Sequence, residues 1–96
     1  MELYALVIYD ITDDGLRNDI AAFLKAQGLM RIQKSAFIGP TTPGNLRNIE
    51  AGVRRLIRGF SNVNVQIYLL THACFNSRII IGDLRYEEGE EGGIIT

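Results

Sequence analysis

Asp10 is the residue of this chain whose type and position best suit metal chemistry. It follows the apolar run from Leu3 to Tyr9, which is typical of a strand, and it stands just before a predicted helix. A strand holds its last side chain in a fixed direction, while the loop that follows stays open to ligands. Asp10 is therefore a candidate metal ligand. The alternative is a turn residue whose carboxylate accepts hydrogen bonds from the next backbone amides.

A second group of candidate residues lies on a helix predicted near the middle of the chain. Its apolar stripe at helical spacing consists of Leu46, Ile49, Val53, Leu56, Ile57 and Phe60. At about 100° per residue, Arg47, Arg54 and Arg58 project within about 40° of each other and far from that stripe. These arginines are a candidate nucleic-acid interface that contacts backbone phosphates, and the alternative is an ordinary solvated helix face.

Two other reactive side chains, His72 and Cys74, are not expected to take part in catalysis. A lone histidine near the end of a strand is more often structural than catalytic. Cys74 lacks a partner for nucleophilic chemistry and is expected to pack as a small hydrophobe.

The elements that position these residues follow the order strand, helix, strand, helix, strand, strand. Asp13 or Asp14 is predicted to cap the first helix, and Gly28 to end it. Thr42 as a cap and Pro43 as a first helical residue predict the start of the second helix.

Four extended segments complete this order. Leu3 to Tyr9 reads as a central strand, and residues 29–39 form either one bent strand or two short ones. Residues 63–69 alternate apolar and polar side chains, and residues 78–82, with three successive isoleucines, predict a further strand. The order predicts an α+β fold: a ferredoxin-like βαββαβ sheet with both helices on one face and an extra C-terminal strand.

The predicted sheet has an apolar face that the helices do not cover. Right-handed crossovers place both helices on one face. Leu3 to Tyr9 nevertheless has apolar side chains pointing both ways. An apolar face left in water costs about 25 cal/mol per Å². A second copy of the chain is the simplest cover, so we expect a face-to-face homodimer whose spare final strand extends the partner's sheet.

Length and charge predict one domain with an acidic tail. We assign residues 1–85 to a single ferredoxin-like domain and residues 86–96 to an acidic, mobile C-terminal tail. Because this tail holds four acids and no base, the other 85 residues carry a net charge of +3 although the whole chain carries −1. The single cysteine fits a reducing compartment, and no run of about 20 apolar residues predicts a membrane span. A cytoplasmic protein without membrane contact is therefore expected.

Several short motifs, in this order and spacing, resemble a known family. They are VIYDIT with Asp10, then Arg17 and Asn18 on the first helix, GL shortly before Arg31, QKSAF and QIYLL. Across Leu3 to Gly82 the chain resembles the CRISPR-associated Cas2 family of small adaptation-module nucleases. The resemblance implies a ferredoxin-like homodimer, a Mg²⁺-dependent nuclease activity reported for some members, and partnership with the CRISPR integrase in acquiring spacers.

The resemblance also implies a site. Its metal-binding acid matches Asp10, and the catalytic residues that accompany Asp10 match Tyr9, Arg17, Arg31, Ser35 and Phe37. The family often has an aromatic residue at Lys34 and an acidic one at Ile38, so a supplementary carboxylate is absent here. The acidic tail is not a family feature either.

Each of these residues also has a purely structural interpretation. Arg17 can pair with Asp13 or Asp14 across one helical turn, while Tyr9 and Phe37 can belong to the core. Ser35 can be a satisfied strand hydroxyl.

Three function classes follow. The first is a Mg²⁺-dependent endonuclease that cuts RNA or DNA with Asp10 carboxylates paired across a dimer. The second is a non-catalytic scaffold that binds double-stranded DNA within the integrase complex. The third, a small-molecule-binding regulator, is disfavoured because the loop at residues 39–44 lacks a pocket motif.

Overall fold

The first strand, β1 (Leu3–Ile11), runs through the middle of a four-stranded antiparallel sheet. The computed structural model describes residues 2–83, 85–86 and 93–94. The other three strands are β2 (Met30–Gln33), β3 (Ala36–Thr41) and β4 (Val63–Thr71), and the order across the sheet is β2-β3-β1-β4. This order, with one helix after β1 and one after β3, confirms the ferredoxin-like plan.

The first helix, α1 (Asp14–Ala26), begins and ends where its capping residues predict. Asp13 is the N-cap, and its carboxylate accepts a hydrogen bond of 2.8 Å from the backbone N–H of Leu16. Gly28 follows the last turn with φ of +90°, a conformation that residues with a Cβ rarely adopt. The cap places the start of α1 directly after the end of β1.

The second helix, α2 (Pro43–Ile57), is capped by Thr42 as predicted. Its end differs from the prediction. The backbone of Arg58 is extended (φ −60°, ψ 130°) and Gly59 has φ of +86°, so the chain leaves the helix before Phe60, which is 44% exposed. The prediction that the apolar stripe reaches Phe60 within the helix is therefore wrong, and Arg58 lies at the C-cap of α2.

Residues 29–39 form two short strands rather than one bent strand. A turn at Lys34 and Ser35 separates β2 from β3, and the pairing register shifts between Arg31 and Gln33. This β2–β3 turn lies beside the end of β1, because the N–H of Tyr9 donates a hydrogen bond of 3.0 Å to the carbonyl oxygen of Ser35.

The core lies between the helices and one face of the sheet. Alternate side chains of β1 point into it, in keeping with the two-residue period of a strand. The core cluster includes Ala5, Val7, Tyr9 and Ile11 of β1, Leu16, Ile20 and Leu24 of α1, and Ile49 and Val53 of α2. Both helices therefore pack on the same face, as expected.

The opposite face, here called the open sheet face, carries apolar side chains that these two helices do not cover. Cross-strand pairs on it include Leu6 with Tyr68 and Ile8 with Gln66. Ile8 is 40% exposed and Tyr68 is 46% exposed. Asp10 follows Ile8 at the end of the same row.

A short helix, α3 (His72–Asn76), follows β4 and was not predicted. Thr71 caps it by accepting a hydrogen bond from the N–H of Cys74. The ring of Phe75 stacks on Tyr4 with 4.1 Å between centroids, so α3 shields one end of the open sheet face.

The strand predicted at residues 78–82 is absent from both sheets of the part of the chain that the structure describes. A strand needs a neighbour to bond with, and α3 intervenes between β4 and this segment. Ile79 and Ile81 are 84% and 93% exposed. Additional C-terminal strands exist instead at β5 (Arg85–Tyr86) and β6 (Gly93–Ile94), which pair with each other close to β2.

The predicted tail falls mainly on residues 87–92, 95 and 96, which lie outside the described residues. The division at residue 85 therefore stays a prediction. None of the helices within residues 2–83 is long and apolar enough to span a membrane.

His72 and Cys74 both lie on α3 and are exposed. The Nδ1 atom of His72 lies 3.1 Å from a carboxylate oxygen of Glu2, and Nε2 lies 3.0 Å from the side-chain nitrogen of Asn76. These contacts give His72 a structural role. Cys74 is exposed, so the expectation of a packed cysteine is wrong.

Candidate active site

A polar pocket opens where the end of β1, the first turns of α1 and the β2–β3 turn meet. Its lining residues are Tyr9, Asp10, Ile11, Arg17, Asn18, Arg31, Lys34 and Ser35. Five of the six residues predicted as a catalytic set thus lie together, although they are spread over 27 positions of sequence. We call this the Asp10 pocket.

Asp10 and Tyr9 point to opposite sides of the sheet. Tyr9 is 4% exposed and belongs to the core, whereas Asp10 is exposed. Asp10 pairs in register with Asn64 of β4, which is also exposed. The carboxylate is therefore accessible at the end of the open sheet face, as a metal ligand must be.

Arg17 holds the segment between β1 and α1. Its Nη1 atom donates hydrogen bonds of 3.1 Å to the carbonyl oxygens of Ile11 and Thr12, and Nη2 pairs with the carboxylate of Asp14. The expected helical ion pair of Arg17 thus forms with Asp14 rather than Asp13. The two carbonyl contacts give Arg17 a further role, because they fix the backbone immediately after Asp10.

Phe37 supports the pocket from inside the core. It has no exposed surface, its ring stacks against Tyr9 with 6.3 Å between centroids, and the guanidinium of Arg31 lies 5.0 Å from its centroid. A side chain without exposed surface does not touch a ligand in this conformation. Phe37 therefore positions Tyr9 and Arg31, and it is the one predicted catalytic residue that does not line the pocket.

Asn18 and Lys34 line the pocket but were not predicted as site residues. Asn18 follows Arg17 in the motif on α1, and Lys34 precedes Ser35 in QKSAF. Their position next to predicted site residues is the sequence feature that could have identified them. With Lys34 included, the pocket holds three cationic side chains and one carboxylate. Its formal charge of about +2 favours a phosphate ligand.

Asp10 is the one carboxylate among the described residues that line this pocket. No group of three His, Cys, Asp or Glu side chains suited to a metal ion occurs among the described residues. Mg²⁺ prefers oxygen ligands, keeps several water molecules and is often held by one or two carboxylates together with substrate phosphate. The carboxylate oxygens of Asp10 therefore suit Mg²⁺ as ligands, but the described residues that line the pocket in one chain supply only one of the two carboxylates that such a site can use.

The arginines predicted as a nucleic-acid interface on and just after α2 lie apart from the Asp10 pocket. Arg47, Arg54 and Arg58 are exposed, as is Arg55, which was not predicted. The guanidinium of Arg54 lies 3.0 Å from a carboxylate oxygen of Glu50. None of these arginines lines the Asp10 pocket.

Comparison with known proteins identifies the family. The sequence profile described as "CRISPR associated protein Cas2" matches residues 1–78. This chain belongs to the Cas2 family. It is 38% identical over 80 residues to a protein of Pyrobaculum aerophilum named "CRISPR-associated endoribonuclease Cas2 2", covering 83% of this chain and 87% of that protein.

A second Cas2 relative of interest is a larger protein. The chain is 35% identical over 68 residues to "CRISPR-associated endonuclease Cas1/endonuclease Cas2 fusion" of Thermoproteus tenax, which covers 71% of this chain and 25% of that protein. Among solved structures, "Crystal structure of cas2" matches with a TM-score of 0.70 at 24% identity, covering 86% of this chain and 91% of that chain. This structural likeness supports the Cas2 fold.

Proposed function

We propose that this Cas2 protein is a homodimeric, Mg²⁺-dependent endonuclease of the cytoplasm that hydrolyses phosphodiester bonds of RNA or DNA and supports spacer acquisition with the CRISPR integrase. The names of relatives support the activity, because the protein of P. aerophilum is called an endoribonuclease. The observation that carries the proposal is the position of Asp10. Its carboxylate is accessible beside Arg17 and Arg31 in a pocket of net positive charge.

The open sheet face supports the homodimer. It presents Ile8 and Tyr68 to solvent in one chain, and the exposed isoleucines at residues 79–81 add apolar surface that needs a partner. A twofold axis makes one patch complementary to its own copy. Residues 79–81 are then available to pair as a strand with the edge of the partner's sheet.

A dimer built on this face also completes the metal site. Asp10 lies on the same row as Ile8, so an axis near this end of the sheet brings two Asp10 carboxylates towards each other. The two Asp10 carboxylates would hold Mg²⁺, which would supply Lewis-acid activation of the attacking water and of the phosphate. Arg31 and the remaining donors of Arg17 offset negative charge on the phosphate.

The experiment that tests catalysis replaces Asp10 with Asn. Asp10→Asn keeps the size of the side chain and removes the charge that binds the metal. We expect cleavage of labelled RNA and DNA in Mg²⁺ to fall by at least about 100-fold, as when one strong electrostatic contact to a transition state is lost. Asp19→Asn, a matched loss of an exposed carboxylate on α1, should leave the rate unchanged. Equal rates for the parent and Asp10→Asn contradict the nuclease assignment.

A second candidate function is a non-catalytic scaffold for double-stranded DNA within the integrase complex. The exposed arginines of α2 favour it, because phosphate contacts require accessible cations but no metal. The T. tenax relative, named as a fusion of Cas1 with Cas2, supports the association of these two components. A scaffold predicts that Asp10→Asn still binds duplex DNA and the integrase at least as tightly as the parent.

A further inference from the structure

We propose that Lys34 forms a phosphate-binding subsite at the β2–β3 turn and holds a phosphodiester group of the nucleic acid next to Asp10. The inference rests on the proposed function in one respect, which is that the ligand is a nucleic acid. It does not require cleavage. It assigns to Lys34 a contact that neither the sequence motifs nor the similarity to Cas2 proteins provides.

The backbone of the turn fixes Lys34 with respect to Asp10. Gln33 and Ala36 pair across the turn, and the carbonyl oxygen of Ser35 accepts the hydrogen bond from the N–H of Tyr9. The turn is thus bonded to the residue immediately before Asp10. The flexible part of Lys34 is only its own side chain, which lines the pocket and is exposed.

The three cations of the pocket differ in how far their donors are already used. The guanidinium of Arg17 has five N–H donors, and three of them bond to Ile11, Thr12 and Asp14. The guanidinium of Arg31 lies over the ring of Phe37 and has a further interaction. Both side chains are thus anchored by contacts within the protein, and Arg17 offers a phosphate only its remaining donors.

Lys34 is the cation with its donors available. Within residues 2–83, 85–86 and 93–94 its ammonium group makes no hydrogen bond or ion pair. An ammonium group offers three donors and a compact charge on a flexible stem, which suits a phosphate oxygen whose exact position varies. Asp10 repels phosphate whenever no metal is bound, and Lys34, which lines the same pocket from the β2–β3 turn, offsets that repulsion.

The test measures binding without catalysis. Fluorescently labelled single-stranded RNA and duplex DNA are titrated with the full-length protein in buffer containing EDTA, at several salt concentrations. Lys34→Gln removes the charge, and Lys25→Gln is the matched control because Lys25, in the last turn of α1, is the only other lysine and does not line the pocket. Lys34→Arg restores the charge.

We expect Lys34→Gln to weaken binding about 3- to 10-fold at low salt and to reduce the slope of log K against log salt by about 0.7 to 0.9 per chain. Lys25→Gln should change both quantities by less than half as much, and Lys34→Arg should bind like the parent. Asp10→Asn should bind more tightly than the parent in EDTA, because it removes the repulsion. An equal effect of Lys34→Gln and Lys25→Gln overturns the subsite.

A second measurement detects the contact directly. Acylation of lysine amines followed by peptide mass spectrometry reports the accessibility of Lys34 and Lys25 separately. Added RNA should slow acylation of Lys34 and not of Lys25, and equal protection of both overturns the proposal. The two proposals can fail separately. If the parent protein binds nucleic acid through Lys34 but does not cut it, the nuclease proposal alone is refuted. If the parent protein cuts but Lys34→Gln does not change binding, the subsite alone is refuted.

Discussion

The backbone N–H of Tyr9 donates a hydrogen bond of 3.0 Å to the carbonyl oxygen of Ser35. This bond joins the end of β1 to the β2–β3 turn beside the exposed carboxylate of Asp10. Backbone hydrogen bonds do not depend on side-chain identity. An exposed side chain of the Asp10 pocket, such as that of Asp10 or Lys34, can therefore be replaced while this bond stays in place.

Phe37 is predicted to act through stability and positioning rather than through contact with substrate. Because it is fully buried, Phe37→Ala should lower the free energy of unfolding by about 3 to 5 kcal/mol, and Phe37→Leu by clearly less. Urea denaturation followed by circular dichroism measures both. In folded Phe37→Leu we expect cleavage to fall by much less than in Asp10→Asn. An equal loss in folded protein would show that Phe37 takes part in the chemistry.

Ile8 provides the test of the dimer. In the single chain Ile8→Lys places a charge on a surface that is already 40% exposed, so the cost to folding is small. In a face-to-face dimer the same charge is buried without a partner, which costs several kcal/mol. Sedimentation velocity at micromolar concentration should show a dimer for the parent and a monomer for Ile8→Lys. Ala22→Lys, on the exposed side of α1, should remain dimeric; a monomeric parent protein refutes the homodimer.

Glu50 is predicted to oppose DNA binding by α2. Its carboxylate holds the guanidinium of Arg54, and both side chains are largely exposed, so the pair stabilises the helix by only about 0.3 to 0.5 kcal/mol. Glu50→Gln frees Arg54 and removes a charge that repels phosphate. Fluorescence anisotropy should then show tighter binding of duplex DNA, with the salt slope steeper by up to about 0.9 per chain.

The matched control for Glu50 is Asp19→Asn, which removes one acid from α1. If it tightens duplex binding as much as Glu50→Gln does, the effect reflects net charge alone and α2 is not the DNA interface.

The local sequence correctly predicted where α1 and α2 begin, but not where α2 ends. Asp13, Thr42 and Pro43 act through hydrogen bonds and backbone angles within a few residues, so their effects are readable from the chain. The end of α2 was misjudged because the apolar spacing continues to Phe60, whereas Gly59 allows the backbone to turn away before it.

The sequence by itself determined the ferredoxin-like order of elements, the core face of β1, and Asp10 as the exposed acid at its end. These follow from the two-residue and 3.6-residue periods of apolar side chains, which any chain segment displays locally. Only the tertiary structure decided that Lys34 lies in the pocket, that Phe37 does not, and that residues 78–82 lack a strand neighbour among the described residues. Such outcomes depend on which distant segments of the chain come into contact. The hydrogen bond between the β2–β3 turn and Tyr9 is the contact that brings Lys34 to the pocket.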